Sequence, residues 1–572
     1  MKKVSLGFII TTFLLVGRAA AQQFEWASSG DNLNGGIRAS VLDASGNMIV
    51  AGVANMPMYY TGGQQLYSSS GDSKSVSVGD FMFLASYSPD GKINWVREVQ
   101  GADDPVGMGL DGDGNIVVLA SNDRNPSFRE IDVRVDAGRY FILHITPEGR
   151  AKKVVADTLG LLRDPMRFVV TKEGDYLVTQ SEYRLMDSGK GYNEEVSFFG
   201  LYKLNKDFKT VWKQEVRRFG HHGYFVPGML IDEAPNGDVY AIVSVAEGVA
   251  FGSKKLTPAV VDSVGQYNPA YEAYLACYNK EGKLKWVRAS GGKSIFSSIK
   301  ATASGIYLGG HVHNNQNFFG KKIDTTGRKG MVLAAFDLQG KLKWAETTTA
   351  HTIRALTADQ NENIYAIVES KISYPDKQVF YTDTLRNVYE SLLLASFDAK
   401  GKYRWIKHTK LPMSTNQSPN LLTDNCGDIY VSGELWWVMK AEMKWFDAAL
   451  VKGYGYGPMP FAGKIKNTLP SFVKNEPAKC VISPSPWTIM NYPNPFTSST
   501  TVQYKVTYDD KNVSLNLYDI SGKLNRIIFS KKQHKKGTYT LTLSATGLAS
   551  GMYVLVLRGT EAVATEQILV SR

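Results

Sequence analysis

Apolar and polar positions alternate in short runs over residues 22–467, which predicts β-strands joined by tight turns. The clearest repeating piece is a strand, a Gly turn and a strand that contains Trp, as in 83–96 (FLASYSPDGKINWV). A turn followed by an apolar strand precedes it, as in 45–53 (SGNMIVAGV). The two pieces recur at roughly 60 to 70 residues, a period that indicates propeller blades in an all-β chain.

The two ends of this region complement each other. The turn and apolar strand occur seven times, whereas the Gly turn and Trp strand follow only six times. Residues 24–30 (FEWASSG) resemble a Trp strand without its partner, and 461–466 (FAGKIK) resemble the partner without its Trp strand. Pairing them would close a ring and remove open sheet edges. We therefore predict an all-β fold, a seven-bladed β-propeller closed by the N-terminal strand, with Trp26 on the outer strand of the last blade.

The tryptophans have a structural explanation in this arrangement. A ring on an outer strand can wedge against the neighbouring blade while its indole N–H reaches a backbone carbonyl. The repeat is similar to the bacterial β-propeller repeat family of extracellular proteins, in which a Gly-Gly often follows the Trp, as at 289–292. It also resembles the quinoprotein-type repeat in its Gly-Lys-x-x-Trp turn. Quinoprotein families usually have eight blades and a recognisable ligand set, so a quinone-dependent dehydrogenase is a distant alternative.

The C-terminal region has a different pattern. After 491–496 (NYPNPF), four alternating runs predict a small β-sandwich over 488–572, preceded by a linker at 468–487. The four runs are 500–506, 513–519, 537–543 and 551–557.

This C-terminal pattern resembles the type A sorting domain of cargo of the type IX secretion system of Bacteroidetes. The resemblance depends on the NYPNPF opening, a central LYDISGK (517–523), LASGMYVL (548–555) and a basic end. It implies that the type IX secretion machinery is a partner and that the chain is extracellular or on the outer cell surface. It also implies removal of the domain when cargo is attached to surface lipopolysaccharide.

The N-terminus predicts a signal peptide at 1–21. Lys2 and Lys3 precede an apolar run over 4–16, and small residues allow cleavage after Ala21, with Ala19 at the other cleavage position. The run is too short for a stable membrane span. We therefore expect no transmembrane anchor after removal of the signal.

The net charge of +11 does not indicate nucleic-acid binding. Residues 1–21 contribute three bases and no acid, and 488–572 contribute ten bases and five acids. The remaining central region has only three more bases than acids. We therefore expect no nucleic-acid partner.

Three cysteines are too few for a disulfide scaffold. Cys277 lies in an apolar strand and is expected to be a small buried hydrophobe. Cys426 and Cys480 form a possible disulfide that would hold the linker in an oxidising compartment. Their spacing alone does not show that their Cα atoms approach.

Long connections on one face of the predicted ring are the candidate binding surface, since long loops on rigid scaffolds commonly carry function. Aromatic rings there could stack on sugars or capture a peptide, or could bury themselves in small satellite cores. The candidates are Tyr59, Tyr60, His221, His222, Tyr224, His313, Phe318, Phe319, Trp436, Trp437, Tyr454 and Tyr456.

Candidate catalytic and metal chemistry is sparse. His311 and His313 share one side of a strand, but no motif fixes the further ligand that zinc requires. The segment 111–115 (DGDGN) resembles a calcium loop, yet it occupies the turn common to every blade and lacks a downstream bidentate Glu. No nucleophile elbow or phosphate loop occurs. The sequence therefore implies no metal and no cofactor.

The functional expectation is a secreted or surface-attached propeller that binds a glycan, a surface polymer or a protein. The alternative is an extracellular propeller enzyme, a hydrolase or lyase acting on polysaccharide. We expect a binding protein more than an enzyme, because no catalytic residue can be selected.

Overall fold

The computed structural model divides the chain into an N-terminal unit, Met1–Ala478, and a C-terminal unit, Lys479–Arg572. No described residue forms a helix, so none contributes a helix long and apolar enough to cross a membrane. The described residues are 24–31, 34–55, 64–68, 73–76, 81–127, 140–158, 160–187, 193–218, 228–245, 248–257, 271–313, 317–323, 329–349, 351–370, 377–381, 383–386, 392–408, 419–435, 441–445, 449–453, 459–466, 487–506, 509–519, 524–559 and 563–571.

The N-terminal unit is built of antiparallel strands. In chain order these are β1 (Phe24–Asp31), β2 (Asn34–Leu42), β3 (Met48–Asn55), β4 (Gln64–Ser68), β5 (Ser73–Val76), β6 (Phe81–Tyr87), β7 (Ile93–Leu110), β8 (Ile116–Ser127), β9 (Tyr140–Ile145), β10 (Ala151–Ala156), β11 (Pro165–Val170), β12 (Tyr176–Asp187), β13 (Asn193–Leu204), β14 (Thr210–Arg218), β15 (Leu230–Glu233), β16 (Val239–Val245), β17 (Val249–Phe251), β18 (Lys254–Leu256), β19 (Glu272–Tyr278), β20 (Leu284–Ala301), β21 (Ile306–His313), β22 (Lys329–Phe336), β23 (Leu342–Thr349), β24 (His351–Ala358), β25 (Ile364–Ser370), β26 (Lys377–Phe380), β27 (Asp383–Arg386), β28 (Leu392–Phe397), β29 (Tyr403–His408), β30 (Asn420–Thr423), β31 (Ile429–Leu435), β32 (Ala441–Trp445), β33 (Ala449–Gly453) and β34 (Met459–Ile465).

Strand pairing groups the described strands into four-stranded antiparallel modules, which we number along the chain. The long strands β7 and β20 each form the fourth strand of one module and continue as the first strand of the next. Modules 1 to 7 are β2-β3-β6-β7, β7-β8-β9-β10, β11-β12-β13-β14, β15-β16-β19-β20, β20-β21-β22-β23, β24-β25-β28-β29 and β30-β31-β34-β1.

The first strand of the chain completes module 7. β1 pairs antiparallel with β34, which brings Trp26 opposite Lys464 and Ser28 opposite Ala462. The other edge of β1 is covered by the β4–β5 hairpin, and β17–β18 covers β14 of module 3 in the same way. These hairpins pair the outer edges of two modules, which would otherwise present unpaired backbone groups. Hairpins β26–β27 and β32–β33 pair only within themselves in the described residues.

Hydrophobic cores form between neighbouring modules. Strands β3 and β6 are buried along nearly their whole length, because both of their faces are covered by adjacent sheets. One face of module 1 shares a core with module 2, where Met82 and Phe141 are both buried. The other face shares a core with module 7, which includes Trp26 and Tyr430. Module 1 therefore packs against both the next module and the last one.

A tryptophan on the fourth strand of one module packs on the turn glycine of the next. At Gly91 the backbone has a φ of +86°, and a Cβ atom built there would lie 2.4 Å from the Trp26 ring. Only glycine fits both the conformation and the contact. We call this contact the Trp–Gly lock, and it occurs at Trp26–Gly91, Trp95–Gly149, Trp212–Gly282, Trp286–Gly340 and Trp344–Gly401.

The predicted hydrogen bond of the indole N–H to a neighbouring backbone carbonyl is confirmed. Each acceptor lies two residues before the turn glycine of the lock. The bonds run from Trp26 to Pro89 (3.1 Å), Trp95 to Pro147 (2.9 Å), Trp212 to Lys280 (3.0 Å) and Trp344 to Ala399 (3.2 Å).

Modules 2 and 3 make a different contact. Lys153 occupies the Trp position of module 2, and Phe208 occupies the turn-glycine position of module 3 with a φ of +63°. The ammonium of Lys153 reaches the carbonyl of Lys206 at 3.4 Å, which is the acceptor position that an indole uses elsewhere. The Phe208 ring is buried in the core between these modules. A phenylalanine from the turn thus fills space that the lock elsewhere fills with tryptophan.

The C-terminal unit contains two sheets around one core. Its strands are β35 (Thr488–Tyr492), β36 (Ser499–Val506), β37 (Asp510–Asp519), β38 (Leu524–His534), β39 (Gly537–Ser544), β40 (Gly551–Arg558) and β41 (Val563–Val570), paired as β35-β36-β39 and β38-β37-β40-β41. Buried and exposed residues alternate along β36, as the sequence predicted. Trp487, which the sequence placed in the linker, is buried in this core, and a Cβ at Gly559 would clash with its ring. The described fold therefore extends to Trp487, beyond the predicted start at 488.

Candidate functional site

The N-terminal unit contains a central cavity of about 410 Å³. The first strands of modules 1, 2, 3, 5, 6 and 7 contribute to its wall, so residues far apart in sequence meet there. Its polar lining includes Arg38, Asp104, Arg167, Ser298, Arg354 and Asn420. Cavities of this size commonly hold small molecules.

β-bulges shape the wall of the central cavity. The pairing of β2 shifts between Ile37 and Ala39, and that of β24 shifts between Ile353 and Ala355. Equivalent shifts occur in β11 and β20. A bulge inserts one unpaired residue and changes the direction of nearby side chains, and bulges are frequent beside active sites. The inserted residues in β2 and β24 are Arg38 and Arg354.

Arg38 is neutralised by two carboxylates from other modules. Its Nε lies 3.2 Å from Asp104, and its Nη1 lies 2.5 Å from the buried Glu434. A Cβ at Gly36 would lie 2.6 Å from Glu434, so glycine leaves room for this pair. Desolvation raises the pKa of Asp104, Arg38 opposes the shift, and Glu434 adds to it. The ion pairs link modules 7, 1 and 2.

Arg354 is also paired. Its Nε donates to Glu369 at 2.6 Å, and its Nη2 lies 2.5 Å from the same oxygen. Glu369 is buried on β25 of the same module. The Nε and Nη2 atoms of Arg354 therefore both contact an internal carboxylate.

Arg167 differs from these two arginines. Within the described part of the chain, no acidic side chain lies within ion-pair distance of it, and its Nη1 donates to the carbonyl of Met166 at 2.9 Å. Its side chain is exposed and lines the cavity. Protein atoms nevertheless surround it closely enough that desolvation lowers the pKa of its guanidinium. Among the described residues that line the cavity, Arg167 is thus the one cation without an internal counter-ion.

Two further polar atoms of the lining lack an internal partner. Ser40 Oγ and Asn420 Nδ2 are shielded from bulk solvent, and neither has a hydrogen-bond partner among the described residues. Buried polar atoms of this kind are uncommon in folded proteins. They lie on modules 1 and 7, on either side of the junction that Arg38 and Glu434 bridge.

Most of the aromatic candidates from the sequence lie outside the described residues. His313 is exposed at the end of β21. Phe318 is fully buried against Phe296, and Phe319 packs on Phe336. These two phenylalanines belong to the core between modules 4 and 5. The candidates outside the described residues are Tyr59, Tyr60, His221, His222, Tyr224, Trp436, Trp437, Tyr454 and Tyr456.

The described residues contain no cluster of three or more potential metal ligands. His311 Nδ1 lies 3.2 Å from the Thr352 hydroxyl. The turn interpretation of 111–115 is confirmed, because Asp111 accepts backbone hydrogen bonds from Asp113 and Asn115. Cys277 is buried, as predicted. Cys480, Ala19 and Ala21 lie outside the described residues, so the disulfide and the cleavage site stay predictions.

The sequence interpretation missed the three cavity arginines because it considered only long loops. A signal was present for two of them. The pattern Ile-Arg-Ala followed by Asp recurs at 37–43 (IRASVLD) and 353–359 (IRALTAD). In each case the Asp opens the next turn, which fixes the arginine at the same place on its first strand.

A second polar cluster lies on module 3. Glu182 accepts hydrogen bonds from Tyr202, Gln180 and Arg184, and Lys213 lies 3.1 Å from it. Burial alone would raise the pKa of Glu182, but these hydrogen bonds outweigh it and lower the pKa from 4.5 to about 2. The cluster therefore stabilises the ionised carboxylate.

We expect Glu182→Gln to destabilise the protein by about 2 kcal/mol at pH 7, since the positive charges of the cluster lose one carboxylate. A carboxylate with a lowered folded-state pKa stabilises the fold fully above its ordinary value and loses that contribution as pH falls towards about 2. The stability gap between wild type and variant should thus be smaller at pH 3 than at pH 7. Urea unfolding at both pH values measures the gap, and an unchanged gap would contradict the assignment.

Residues 490–571 match the family described as "Secretion system C-terminal sorting domain". The chain carries a secretion sorting domain. The prediction of a C-terminal sorting domain is confirmed for this segment. The sorting domain implies export to the cell surface or the extracellular space. The match covers only the C-terminal unit, so the N-terminal unit is interpreted from its own geometry.

Several solved structures resemble the chain at low sequence identity. The Dos1 propeller aligns with a TM-score of 0.33 and 7% identity, covering 76% of this chain and 93% of that chain. The WD40 domain of Neurospora crassa Pan2 gives 0.29 and 9%, covering 59% and 87%. A protein of unknown function from Bacteroides caccae gives 0.28 and 10%, covering 67% and 94%. No curated protein sequence matches the chain.

Proposed function

We propose that this protein is an exported binding protein whose ligand site is the central cavity of a seven-bladed β-propeller. The observation that carries the proposal is the combination of a sorting domain with a lined cavity of about 410 Å³. The ligand is a glycan, a surface polymer or a segment of another surface protein. The aromatic long-loop residues named from the sequence would extend the same surface.

The ring itself is part of the proposal. The contacts between modules 7 and 1 support closure by the N-terminal strand, namely the pairing of β1 with β34 and the hydrogen bond from Trp26 to Pro89. The ion pair between Arg38 and Glu434 supports it from the inner side. A closed ring would hold the cavity wall rigid, which favours ligand binding by preorganisation.

The route of export is also proposed. We propose that residues 1–21 are a signal peptide cleaved after Ala21 and that the sorting domain is the type A domain of a Bacteroidetes type IX secretion system. The mature protein would then be extracellular or attached to the outer cell surface, without a transmembrane anchor. No nucleic acid is a partner in this proposal.

Removal of residues 490–571 is expected to abolish surface delivery, because the sorting domain would no longer engage the secretion machinery. The truncated chain should accumulate inside the outer membrane in a protease-resistant form. Cell fractionation with surface proteolysis measures the distribution, and the full chain carrying Arg167→Gln serves as the control that should still be exported. Surface delivery of the truncated chain at the wild-type level would contradict the export proposal.

A second candidate function is hydrolysis or cleavage of an extracellular polysaccharide. The observation that favours it is Asp104, whose pKa is raised by desolvation within the cavity beside Arg38. Incubation with a polysaccharide panel distinguishes the two functions. New reducing ends or unsaturated products that disappear in Asp104→Asn would establish the enzyme, whereas retained binding without turnover would establish the binding protein.

A further inference from the structure

We propose that the central cavity binds an acidic sugar whose carboxylate pairs with Arg167, an inference that rests on the proposed binding function of the cavity.

The first step is the contrast among the three cavity arginines. Arg38 contacts Asp104 and Glu434, and Arg354 contacts Glu369, so both have internal carboxylates. Arg167 has no such partner among the described residues. Its side chain is exposed and lines the cavity, so it is available to pair with the carboxylate of a ligand. The planar fork of arginine also matches two carboxylate oxygens at once.

The second step concerns the kind of molecule that carries the carboxylate. Ser40 Oγ and Asn420 Nδ2 line the cavity and have no hydrogen-bond partner in the described part of the protein. The hydroxyl of Ser298 accepts the backbone N–H of Leu356 at 3.0 Å and still has its own proton to donate. The Ser298 hydroxyl can therefore donate to a hydroxyl of the ligand, whereas Ser40 Oγ and Asn420 Nδ2 are themselves too deeply buried to touch one. A sugar acid supplies both the carboxylate and the hydroxyls, whereas an acidic amino-acid side chain supplies the carboxylate alone.

The volume of the central cavity suits one sugar ring. The cavity of about 410 Å³ lies in the lower part of the range of roughly 300–1,000 Å³ that small-molecule sites occupy. This is a suitable space for a single sugar ring with a carboxylate and its hydration. Met108, Met166 and Phe168 supply apolar surface in the same wall. The site thus fits the terminal residue of an acidic polysaccharide or a free uronic acid.

The test is calorimetric titration of the full chain with D-glucuronate, D-glucose and N-acetyl-L-glutamate. Glucuronate should bind at least about tenfold more tightly than glucose, because only glucuronate can pair with Arg167, and more tightly than N-acetyl-L-glutamate, because only the sugar acid also offers ring hydroxyls. Arg167→Gln should weaken glucuronate binding between about tenfold and a hundredfold and so remove most of the preference for glucuronate over glucose. The control Arg150→Gln, at an exposed turn outside the cavity, should leave both unchanged. Thermal unfolding of each variant verifies that it is folded.

Several outcomes would overturn the inference. Equal affinity for glucuronate and glucose would remove the role of the carboxylate, and an unaffected Arg167→Gln would remove the role of the arginine. Equal affinity for N-acetyl-L-glutamate would show that the sugar hydroxyls contribute nothing. Binding of neutral glycans or of a surface protein without preference for glucuronate would preserve the proposed binding function while refuting this ligand class.

Discussion

Replacing Trp26 with alanine is expected to lower the free energy of unfolding of the N-terminal unit by about 3–5 kcal/mol, as for other large aromatic truncations. Trp26 is 1% exposed, and its ring stacks on Tyr87 at 5.4 Å and meets Tyr430 edge-on at 6.5 Å. It lies on β1, which supplies the fourth strand of module 7. The truncation therefore weakens the core between the first and last modules at the point where the two ends of the N-terminal unit meet.

Urea unfolding followed by circular dichroism measures the Trp26 effect, and a matched pair of phenylalanine variants isolates the hydrogen bond. The N–H of Trp26 donates to Pro89 at 3.1 Å, whereas Nε1 of Trp405 is buried without a partner among the described residues. Trp26→Phe should therefore cost about 1 kcal/mol more than Trp405→Phe. If Trp26→Ala lowered the free energy of unfolding by less than about 1 kcal/mol, the core between modules 7 and 1 would not contribute to stability as proposed.

The unpaired indole of Trp405 follows from the same chain topology. In the four locks whose indole makes this hydrogen bond, the acceptor belongs to the turn between the third and fourth strands of the next module, as Ala399 does for Trp344. Module 7 has no such turn, because its third strand is β34 and its fourth is β1 from the other end of the sequence. Because β34 and β1 are not joined by a turn, Trp405 lacks the acceptor that a turn would supply.

The strands, turns and locks could be predicted from the sequence because each is encoded locally. Alternation identifies a strand within a few residues, and a glycine at a fixed distance before a tryptophan, as at Gly91 and Trp95, marks two positions that take part in locks with different neighbouring modules. The positive φ of Gly91 shows why that residue type is required. Pairing of the two ends also followed from local pieces, since each end lacked what the other had.

The central cavity could not be predicted in this way. Its electrostatics depend on which residues meet across modules, and Arg38 and Glu434 are separated by 396 positions. The bulges that insert Arg38 and Arg354 shift the strand register, so simple alternation does not assign their direction. What distinguishes Arg167 is that no acidic side chain among the described residues pairs with it, and a pattern along one strand does not reveal what the other strands bring near it. The long-loop aromatic residues outside the described part stay predictions.

The second large effect is expected at the junction of modules 2 and 3. Replacing Lys153 by tryptophan and Phe208 by glycine would create a Trp–Gly lock there, and the effects of the two substitutions on stability should be strongly coupled. Phe208→Gly alone removes a buried ring and should cost about 3–5 kcal/mol, despite relief of the positive φ. Lys153→Trp alone forces an indole against Phe208 and should cost about 1–3 kcal/mol. Together they recreate the pair found at Trp95 and Gly149, so the double variant should be more stable than the sum by about 2 kcal/mol or more.

A double-mutant cycle in urea provides this coupling energy, and Lys152→Trp combined with Phe208→Gly is the matched control. Lys152 is exposed one position away and extends towards Asn115, so its tryptophan would not meet the turn of module 3. The control pair should be additive within about 0.5 kcal/mol. If the effects of Lys153→Trp and Phe208→Gly on stability were also additive, the two positions would be independent. The pairing of tryptophan with glycine at the other junctions would then need another cause. A positive coupling would show that each junction requires one large ring, supplied either by the strand or by the turn.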